Sequence, residues 1–321
     1  MAYTASALGF MFENLTKPIV VTGSQLPIYE QNTDAVDNFL GALLFAGTYK
    51  IHEVAIYFAD RLLRGCRATK NSTNQFPAFE SPNYSLLAEV GVEFKIHWDK
   101  IRENDPKKDL LTFRDFDSEV HVVSIQPYIN AKSLASIISV NKAIILLAYG
   151  MGGMRVQVQA KNPDGSPKFD KDGNAVMIDS PLMNAITAAI KAKKLVVVMT
   201  QCARGNVSSV YEVGQTLIKK GAVLAEDMTV EAVLAKVSYL LGKQNVEKFS
   251  FDELKKRVGQ NLRGELTPVS DTKAITDGKV NEVAQAVSKV FKTNDKSDHR
   301  MIRSLIKPLM ASVASNLVAK K

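Results

Sequence analysis

The sequence predicts an α/β fold with two sheet-containing domains, and three observations lead to it. Short runs of apolar, β-branched and aromatic residues, typical of buried strands, occur at 18–22, 54–58, 120–125, 143–148 and 195–200. Stretches with helical apolar spacing lie between most of these runs, and this alternation indicates right-handed crossovers and a parallel sheet. The chain also has 321 residues, enough for two hydrophobic cores.

The first part of the chain opens on a helix, whereas a doubly wound domain usually opens on a strand. Residues 2–15 carry apolar side chains at helical spacing, the strand 18–22 follows, and 23–27 form the turn at its carboxyl end. Asp34 is a candidate N-cap for the next helix. That helix is expected to carry Val36, Phe39, Leu40, Leu43 and Leu44.

Charge rises and apolar runs disappear between Trp98 and Glu119, which is typical of a linker. We therefore expect a first domain over 1–99, a linker over 100–119 and a second domain over 120–268. A helical extension is expected over 269–321, where apolar residues recur at helical spacing in 279–292 and 299–318.

The second domain is expected to continue the alternation of strands and helices. Its predicted helices are 131–139, 181–191, 211–219, 229–242 and 251–259. Residues 155–178 alternate polar and apolar side chains around two turn sequences, and this pattern predicts an inserted β-hairpin. The glycine-rich stretch 149–153 lacks the G-x-G-x-x-G spacing of a dinucleotide site, so a tight turn is the simpler interpretation.

Composition excludes several classes of function. Cys66 and Cys202 lie far apart and the four histidines are scattered, so no metal site is expected, and free thiols favour a reducing compartment. The net charge is +8, with an excess of basic residues after Pro268, but no RNA-binding motif or dense basic block accompanies it. No signal peptide and no apolar run of membrane-spanning length is recognised. From these two sets of observations we expect neither nucleic acid nor a membrane as a partner.

The loop that follows the strand 54–58 is the candidate site. It carries Arg64, Arg67 and Lys70 among small and polar residues, and ligands of open α/β sheets bind beyond the carboxyl ends of parallel strands. Lys70 is the candidate catalytic residue, because an ammonium beside a hydroxyl can lose its proton when desolvated and activate a nucleophile. The alternative is that all three cations are simply solvated on the surface.

Seven stretches, in order between residues 1 and 268, resemble the bacterial-type asparaginases, and most closely their type I, cytoplasmic branch. They are Met1-Ala-Tyr-Thr-Ala-Ser-Ala-Leu8, Lys17-Pro-Ile-Val-Val-Thr-Gly-Ser-Gln25, Arg64-Gly-Cys-Arg-Ala-Thr-Lys70, Phe79-Glu-Ser-Pro-Asn83, Thr200-Gln-Cys202, Asp227-Met-Thr-Val-Glu-Ala232 and Gln260-Asn-Leu-Arg-Gly-Glu-Leu-Thr-Pro268. The resemblance implies a larger N-terminal domain with a parallel or mixed sheet and a smaller, Rossmann-like C-terminal domain.

The resemblance also implies a reaction: hydrolysis of L-asparagine to L-aspartate and ammonia, without a cofactor, in a homodimer or homotetramer. A threonine hydroxyl attacks the side-chain amide, and a second threonine, a lysine and an aspartate assist. Lys70 matches the catalytic lysine of the family, and Ser24 and Gln25 match the turn that faces the substrate.

This sequence departs from the family at its beginning. The family's Thr-Gly-Gly-Thr-Ile and His-Gly-Thr-Asp-Thr segments, which carry the nucleophile and the second threonine with its aspartate, are absent, and Met1 aligns with the methionine just after the second segment. We therefore expect a first domain without its opening strands and no meaningful activity of the chain as written. The alternative expectation is a non-catalytic partner subunit of a full-length asparaginase.

Type I members also carry an allosteric asparagine site, and Thr69, Gln201 and Cys202 match positions in or near it. The family's arginine at this site is replaced by Leu147 and its asparagine by Gly153. Because an arginine is the natural partner of an effector carboxylate, we expect no asparagine-driven allostery. A third hypothesis, independent of the family, is a two-domain binder of another small molecule at Lys70.

Overall fold

The computed structural model describes residues 1–105, 107–207 and 212–268. The helices and strands of its first part are α1 (Ala2–Met11), β1 (Phe12–Glu13), β2 (Ile19–Val21), α2 (Ala35–Thr48), β3 (Val54–Phe58), β4 (Arg61–Arg64), β5 (Thr69–Lys70), β6 (Phe79–Glu80), β7 (Ala88–Val90), β8 (Phe94–Ile96) and β9 (Leu111–Thr112). The later ones are β10 (Val120–Ser124), α3 (Ala131–Val140), β11 (Ala143–Ala148), β12 (Gln157–Gln159), β13 (Met177–Asp179), α4 (Pro181–Lys191), β14 (Leu195–Thr200), α5 (Glu212–Lys220), β15 (Val223–Leu224), α6 (Val230–Glu247) and α7 (Phe251–Gly259).

The chain divides into two compact units. Over the described residues, the first unit comprises 1–5, 14–105, 107–108 and 260–268, and the second comprises 6–13, 109–207 and 212–259. This clustering differs from the sequence expectation at two places. Residues 109–119 cluster with the second unit, and 260–268 cluster with the first, where arginine side chains donate hydrogen bonds to the Gly264 carbonyl. As domain boundaries, 99, 119 and 268 stay predictions.

A five-stranded mixed sheet, in the order β2-β3-β4-β7-β8, forms the centre of the first unit. β2 runs parallel to β3, and the remaining neighbours are antiparallel. All five residues of β3 are buried, as its apolar and β-branched composition predicts. Ala59 and Asp60 have φ values of 47° and 61°, which closes the β3–β4 connection as a tight two-residue hairpin turn.

Helix α2 packs against this sheet through Ala42 and Phe45, which join a cluster with Ala55, Tyr57 and Leu62.

Four of the apolar residues expected on α2 are exposed, with relative exposures of 46% for Val36, 59% for Phe39, 55% for Leu40 and 58% for Leu43. Periodicity finds an apolar stripe, but the side that meets the sheet is set by tertiary packing.

The first helix is shorter than predicted, because it ends at Met11 and not at Leu15. Phe12 and Glu13 instead pair antiparallel with Thr112 and Leu111. The Met11 carbonyl accepts the N–H of Phe113, so the backbone groups after the helix are satisfied by a distant strand that local spacing does not reveal.

The second unit contains a four-stranded, all-parallel sheet in the order β10-β11-β14-β15. β11 and β14 are almost wholly buried, which agrees with their continuous apolar sequences. The side chains of Asn130, Ser180 and Thr229 cap α3, α4 and α6. The α/β fold predicted for this part of the chain is confirmed.

The predicted insertion at 155–178 is present as an excursion whose base pairs β12 with β13 antiparallel. The two helical stretches predicted at 279–292 and 299–318 lie outside the described residues. None of the helices that the structure does describe combines the length and apolar character needed to cross a bilayer.

Candidate functional site

The turn after β2 is held by polar side chains of the first unit, among which Thr22 is half-buried and Asn38 is buried. Thr22 Oγ1 donates to the Tyr57 carbonyl at 2.8 Å, which attaches the end of β2 to β3. Asn38, only 2% exposed, donates from Nδ2 to the Gly23 carbonyl at 3.0 Å and accepts the Ala59 N–H on Oδ1 at 2.9 Å. One amide side chain therefore connects this turn to the β3–β4 turn, and the local backbone is fixed.

Asp34 organises the same turn from the other side. Its carboxylate accepts the N–H of Gln25 at 2.9 and 3.0 Å, the N–H of Leu26 at 3.1 Å and Nδ2 of Asn38 at 2.9 Å. The prediction that Asp34 caps α2 with its side chain is wrong, because no such bond forms. Thr33 Oγ1 instead accepts the Ala35 N–H at 3.1 Å, and the Asp34 oxygens serve the loop.

Lys70 lies beside this turn. It pairs with Phe79 across the two-stranded sheet β5–β6, and its Nζ donates to Gln25 Oε1 at 2.8 Å. Gln25 Nε2 in turn donates to the Gln75 carbonyl at 3.0 Å. The Lys70 Nζ also lies 5.2 Å from the centre of the Phe79 ring. Sequence positions 25 and 70 are thus brought into contact, with exposed Ser24 in the same turn.

The two arginines of the candidate loop behave differently from Lys70. Arg64 and Arg67 are 3% and 2% exposed, so neither of them is the solvated surface cation that was one interpretation of the sequence. Arg64 forms a forked ion pair with Glu53, at 2.5 Å from Nε and 2.8 Å from Nη2. Burial opposes the charge of Arg64, but the bonds and charge of Glu53 outweigh it and raise its pKa.

Arg67 and Cys66 also belong to the interior. Arg67 Nε donates to the Gly264 carbonyl at 2.7 Å, a contact that no sequence spacing could have indicated across 197 positions. Burial, assisted by the charge of Glu265, raises the pKa of the Cys66 thiol to about 12, which makes it a poor nucleophile. Of the three cations Arg64, Arg67 and Lys70, Lys70 is therefore the one that is accessible to solvent.

The residues matched to the allosteric site fall in both units. Thr69 precedes Lys70 in the first unit and is half-buried. In the second unit, Gln201 Nε2 donates to the carbonyls of Ile125 and Leu147 at 2.6 and 2.9 Å, beyond the ends of β10 and β11. Cys202 is exposed, and its N–H donates to Thr200 Oγ1 at 2.9 Å. Gln201 thus has a local structural task at the end of the sheet.

Sequence reasoning missed Asn38 and gave Asp34 a different task. The signal that was available is their spacing of four: Asp34 immediately precedes α2 and Asn38 lies in its first turn, so both polar side chains are on the side of the turn. In the part of the chain that the structure describes, no three His, Cys, Asp or Glu side chains are grouped as metal ligands would be.

Comparison with known proteins adds independent findings. The family model for the N-terminal asparaginase domain matches residues 1–102, and the model for the glutaminase/asparaginase C-terminal domain matches residues 172–250. The chain is 36% identical over 275 residues to L-asparaginase 1 of Escherichia coli, covering 84% of this chain and 72% of that protein. The crystal structure of L-asparaginase I from Vibrio cholerae superposes with a TM-score of 0.69 at 35% identity, covering 83% of this chain and 73% of that one.

A human relative extends the match through almost the whole sequence. The chain is 32% identical over 317 residues to the 60 kDa lysophospholipase of Homo sapiens, which includes 98% of this chain and 51% of the human protein. The chain thus spans about half the length of that relative. Taken with the bacterial matches and the two domain models, these similarities show that the chain belongs to the asparaginase family.

Proposed function

We propose that this chain carries the substrate turn and the catalytic lysine of an L-asparaginase-type amidohydrolase. The reaction converts L-asparagine and water to L-aspartate and ammonia, and we assign no cofactor to it. The observation that carries the proposal is the 2.8 Å hydrogen bond between Lys70 Nζ and Gln25 Oε1, at the carboxyl end of β2 in a member of this family. Because the chain belongs to the asparaginase family, we interpret the contact between Lys70 and Gln25 as part of a catalytic site and not only as a surface hydrogen bond.

The roles of the residues follow from their positions. Asp34 and Asn38 fix the turn that presents Ser24 and Gln25 to the substrate. Lys70, anchored by Gln25, acts from its neutral amine form: it takes up the proton of a hydroxyl placed against Nζ, becomes an ammonium, and then returns that proton. A rigid turn matters because displacing a catalytic group by about 1 Å can lower the rate by about 100-fold.

The nucleophilic hydroxyl is the part that these residues do not supply. The 321 residues contain neither a Thr-Gly-Gly-Thr nor a His-Gly-Thr-Asp-Thr sequence. We therefore infer that residues 1–321 alone do not turn over L-asparagine, since loss of the nucleophile removes covalent catalysis altogether.

The test is complementation. Residues 1–321 are assayed for ammonia release with L-asparagine, alone and together with the N-terminal fragment of Escherichia coli L-asparaginase 1 that carries both missing sequences. We expect activity only in the mixture, and Lys70→Met abolishes it while Lys95→Met, an exposed lysine on β8 of the same unit, does not. Robust turnover by residues 1–321 alone would overturn the inference about the nucleophile. If the mixture kept its activity when it contained the Lys70→Met variant, the assignment of Lys70 as the catalytic lysine would be overturned.

A second candidate function is a non-catalytic partner of a full-length asparaginase. The exposed apolar face of α2 favours it, because four large side chains at helical spacing form a surface suited to a subunit contact. We propose a homodimer or homotetramer for the catalytic function, and a mixed assembly for this one, both in the cytoplasm. Co-expression with a full-length homologue followed by size-exclusion chromatography distinguishes them, since only the second predicts co-elution with an excess of active partner.

We also propose that asparagine does not act as an allosteric effector. Leu147 offers no charge at the position where the family places an arginine for the effector carboxylate. In the complemented enzyme, the dependence of rate on asparagine concentration should be hyperbolic, and a sigmoidal curve would contradict this proposal.

A further inference from the structure

A second feature of the first unit is a cavity that does not include the Lys70 site. It is open to solvent and has a volume of about 470 Å³, and the residues that line it include Arg64, Tyr84, Asp99, Lys100, Arg102 and Asn261. The wall therefore carries three cationic residues and one carboxylate. None of the residues assigned above to substrate binding or catalysis belongs to it.

The nearby carboxylates leave this positive charge only partly compensated. Glu53 receives the Arg64 fork on both oxygens and the backbone N–H of Arg102 on Oε1 at 2.6 Å, so its charge is engaged by Arg64. Asp99 lies 2.9 Å from Lys100 Nζ, but its side chain is 70% exposed, where water and salt screen the pair.

Arg102 is the cation of this wall for which the structure, over the residues it describes, shows no carboxylate hydrogen-bonded to the guanidinium. Its Nη2 donates to the Leu262 carbonyl at 3.3 Å, a neutral and long contact. Burial lowers the pKa of Arg102, and the positive charges of Arg263 and Arg64 lower it further, against the opposing effect of Glu53. A guanidinium that is largely withdrawn from water gains most from an anion bound in its plane.

The cavity wall is also rigid. Glu265 accepts the N–H of Leu262 and of Arg263, and Asn261 Oδ1 accepts the N–H of Gly264 at 2.6 Å. On the opposite side, the Lys100 carbonyl accepts hydrogen bonds from Arg64 Nη2 at 2.7 Å and from the Tyr84 hydroxyl at 3.0 Å. A preorganised site loses little conformational entropy when a ligand binds.

We propose that this cavity binds a small molecule bearing a carboxylate or phosphate group, held by the Arg102 guanidinium and the Lys100 ammonium. The guanidinium fork matches two oxygens of such a group, and lysine adds a point charge. The cavity is open and has room for more than a bare ion, so we take a small organic acid or phosphate ester as the ligand class.

The probe is inorganic phosphate, titrated into residues 1–321 by isothermal titration calorimetry at constant ionic strength set with chloride. Saturable binding is expected, with an affinity about tenfold or more weaker in Arg102→Gln, since one charge-assisted bidentate contact is lost. Arg102→Lys keeps the positive charge and removes the guanidinium fork, so its affinity for phosphate should lie between those of the unsubstituted chain and Arg102→Gln. Lys95→Gln, which removes an exposed charge from the same unit, should leave the affinity within about twofold of the original.

Further variants keep the proposal open to refutation. Lys100→Gln should weaken phosphate binding without touching the Glu53 pair, and it replaces Arg102→Gln if that variant does not fold. Lys70→Gln should leave phosphate binding intact. Loss of binding in Lys70→Gln but not in the Arg102 and Lys100 variants would place the anion at the Lys70 site and overturn the proposal. Absence of saturable binding in the unsubstituted chain would overturn it as well.

If phosphate binds as expected, succinate and glycerol 3-phosphate titrated in the same way compare the two sources of the anionic group. Tighter binding of succinate assigns a dicarboxylic acid, and tighter binding of glycerol 3-phosphate assigns a phosphate ester. Weaker binding of both than of phosphate would overturn the inference that the cavity takes an organic ligand.

Discussion

Two cations of the first unit, at the ends of β4 and β5, have the same kind of charge and opposite surroundings. Arg64 is buried against Glu53 and fixed on both sides of its guanidinium, whereas Lys70, six positions later, is exposed and donates to the Gln25 side chain. A buried ion pair is costly to break because either partner left alone is an unpaired charge in the interior. Replacing an exposed lysine changes the free energy of unfolding very little, so any importance of Lys70 would come from its function and not from stability. The comparison separates a structural cation, Arg64, from Lys70, the cation for which we propose a function.

Replacing Arg64 by Leu should produce the largest effect. Glu53 would stay buried at 4% exposure without its counter-charge, and the bond to the Gly264 carbonyl would disappear. Breaking one side of such a pair costs about 3–5 kcal/mol, a large fraction of total stability. Urea denaturation followed by circular dichroism measures the loss.

The matched control is the double variant Arg64→Leu with Glu53→Leu, which removes the unpaired charge. It should recover part of the stability lost in the single variant. If the single variant were as stable as the original chain, the structural role assigned to Arg64 would be wrong.

Substituting Asn38 by Ala tests the rigidity of the substrate turn. The change removes the bonds to Gly23, Ala59 and Asp34 from a site that is almost completely buried. Leaving such groups unsatisfied costs about 1–3 kcal/mol. In the complemented enzyme, kcat should fall as well, because Gln25 loses part of its support.

The matched control for Asn38→Ala is Asn141→Ala in the second unit. The Asn141 Nδ2 donates to the Ile137 carbonyl of α3 at 2.8 Å, so its loss should lower stability without a specific loss of kcat. An equal fall of kcat in both variants would contradict the positioning role of Asn38.

Glu226 shows how burial disfavours the charge of a carboxyl group, in contrast to the paired charge of Arg64. Burial raises the pKa of its carboxyl to about 7, with the charge of Asp227 as the second cause. The folded protein therefore binds a proton that the unfolded chain, with an ordinary pKa near 4.5, has released. Stability contributed by this proton is present below the unfolded pKa and is lost as pH rises from about 4.5 to about 7.

The expected loss across this window is about 2 kcal/mol, reduced from the full linkage value because the side chain keeps some contact with water. Glu226→Gln should remove this part of the pH dependence, measured by urea denaturation at pH 5 and pH 8. Glu247→Gln is the control, because cationic neighbours lower the pKa of Glu247 against the effect of burial and its contribution has the opposite sign. A slope unchanged in Glu226→Gln would refute the assignment.

Much of the fold could be predicted from local sequence, and the contrast between Arg64 and Lys70 could not. The strand at 54–58 and the strand at 143–148 were found because continuous apolar sequence reports burial on both faces. The burial of Arg64 depends on Glu53, which the β3–β4 hairpin brings alongside, and on Gly264, 200 positions away. Non-local contacts of this kind leave no periodic pattern in the sequence.

The candidate site shows the same division. The residue types around Lys70 make it a candidate, and the family resemblance adds Gln25, but the hydrogen bond between the two is a contact that the sequence alone does not contain. Asp34 was expected at a helix N-terminus, and it lies there, but its oxygens satisfy the turn and not the helix. The Asp34 carboxylate could accept the N–H groups of the first helical turn or those of the preceding loop. The packing of the loop determines which of the two it accepts.

Replacing Lys70 by Met should have the smallest effect on stability and the sharpest effect on function. The side chain is exposed and its ring contact with Phe79 is at 5.2 Å, so the free energy of unfolding should change by less than about 0.5 kcal/mol. Ammonia release by the complemented enzyme should nevertheless disappear, and Lys70→Arg should not restore it, because a guanidinium does not give up its proton. A loss of stability comparable to that of Arg64→Leu would make Lys70 a structural cation and erase the distinction between the two.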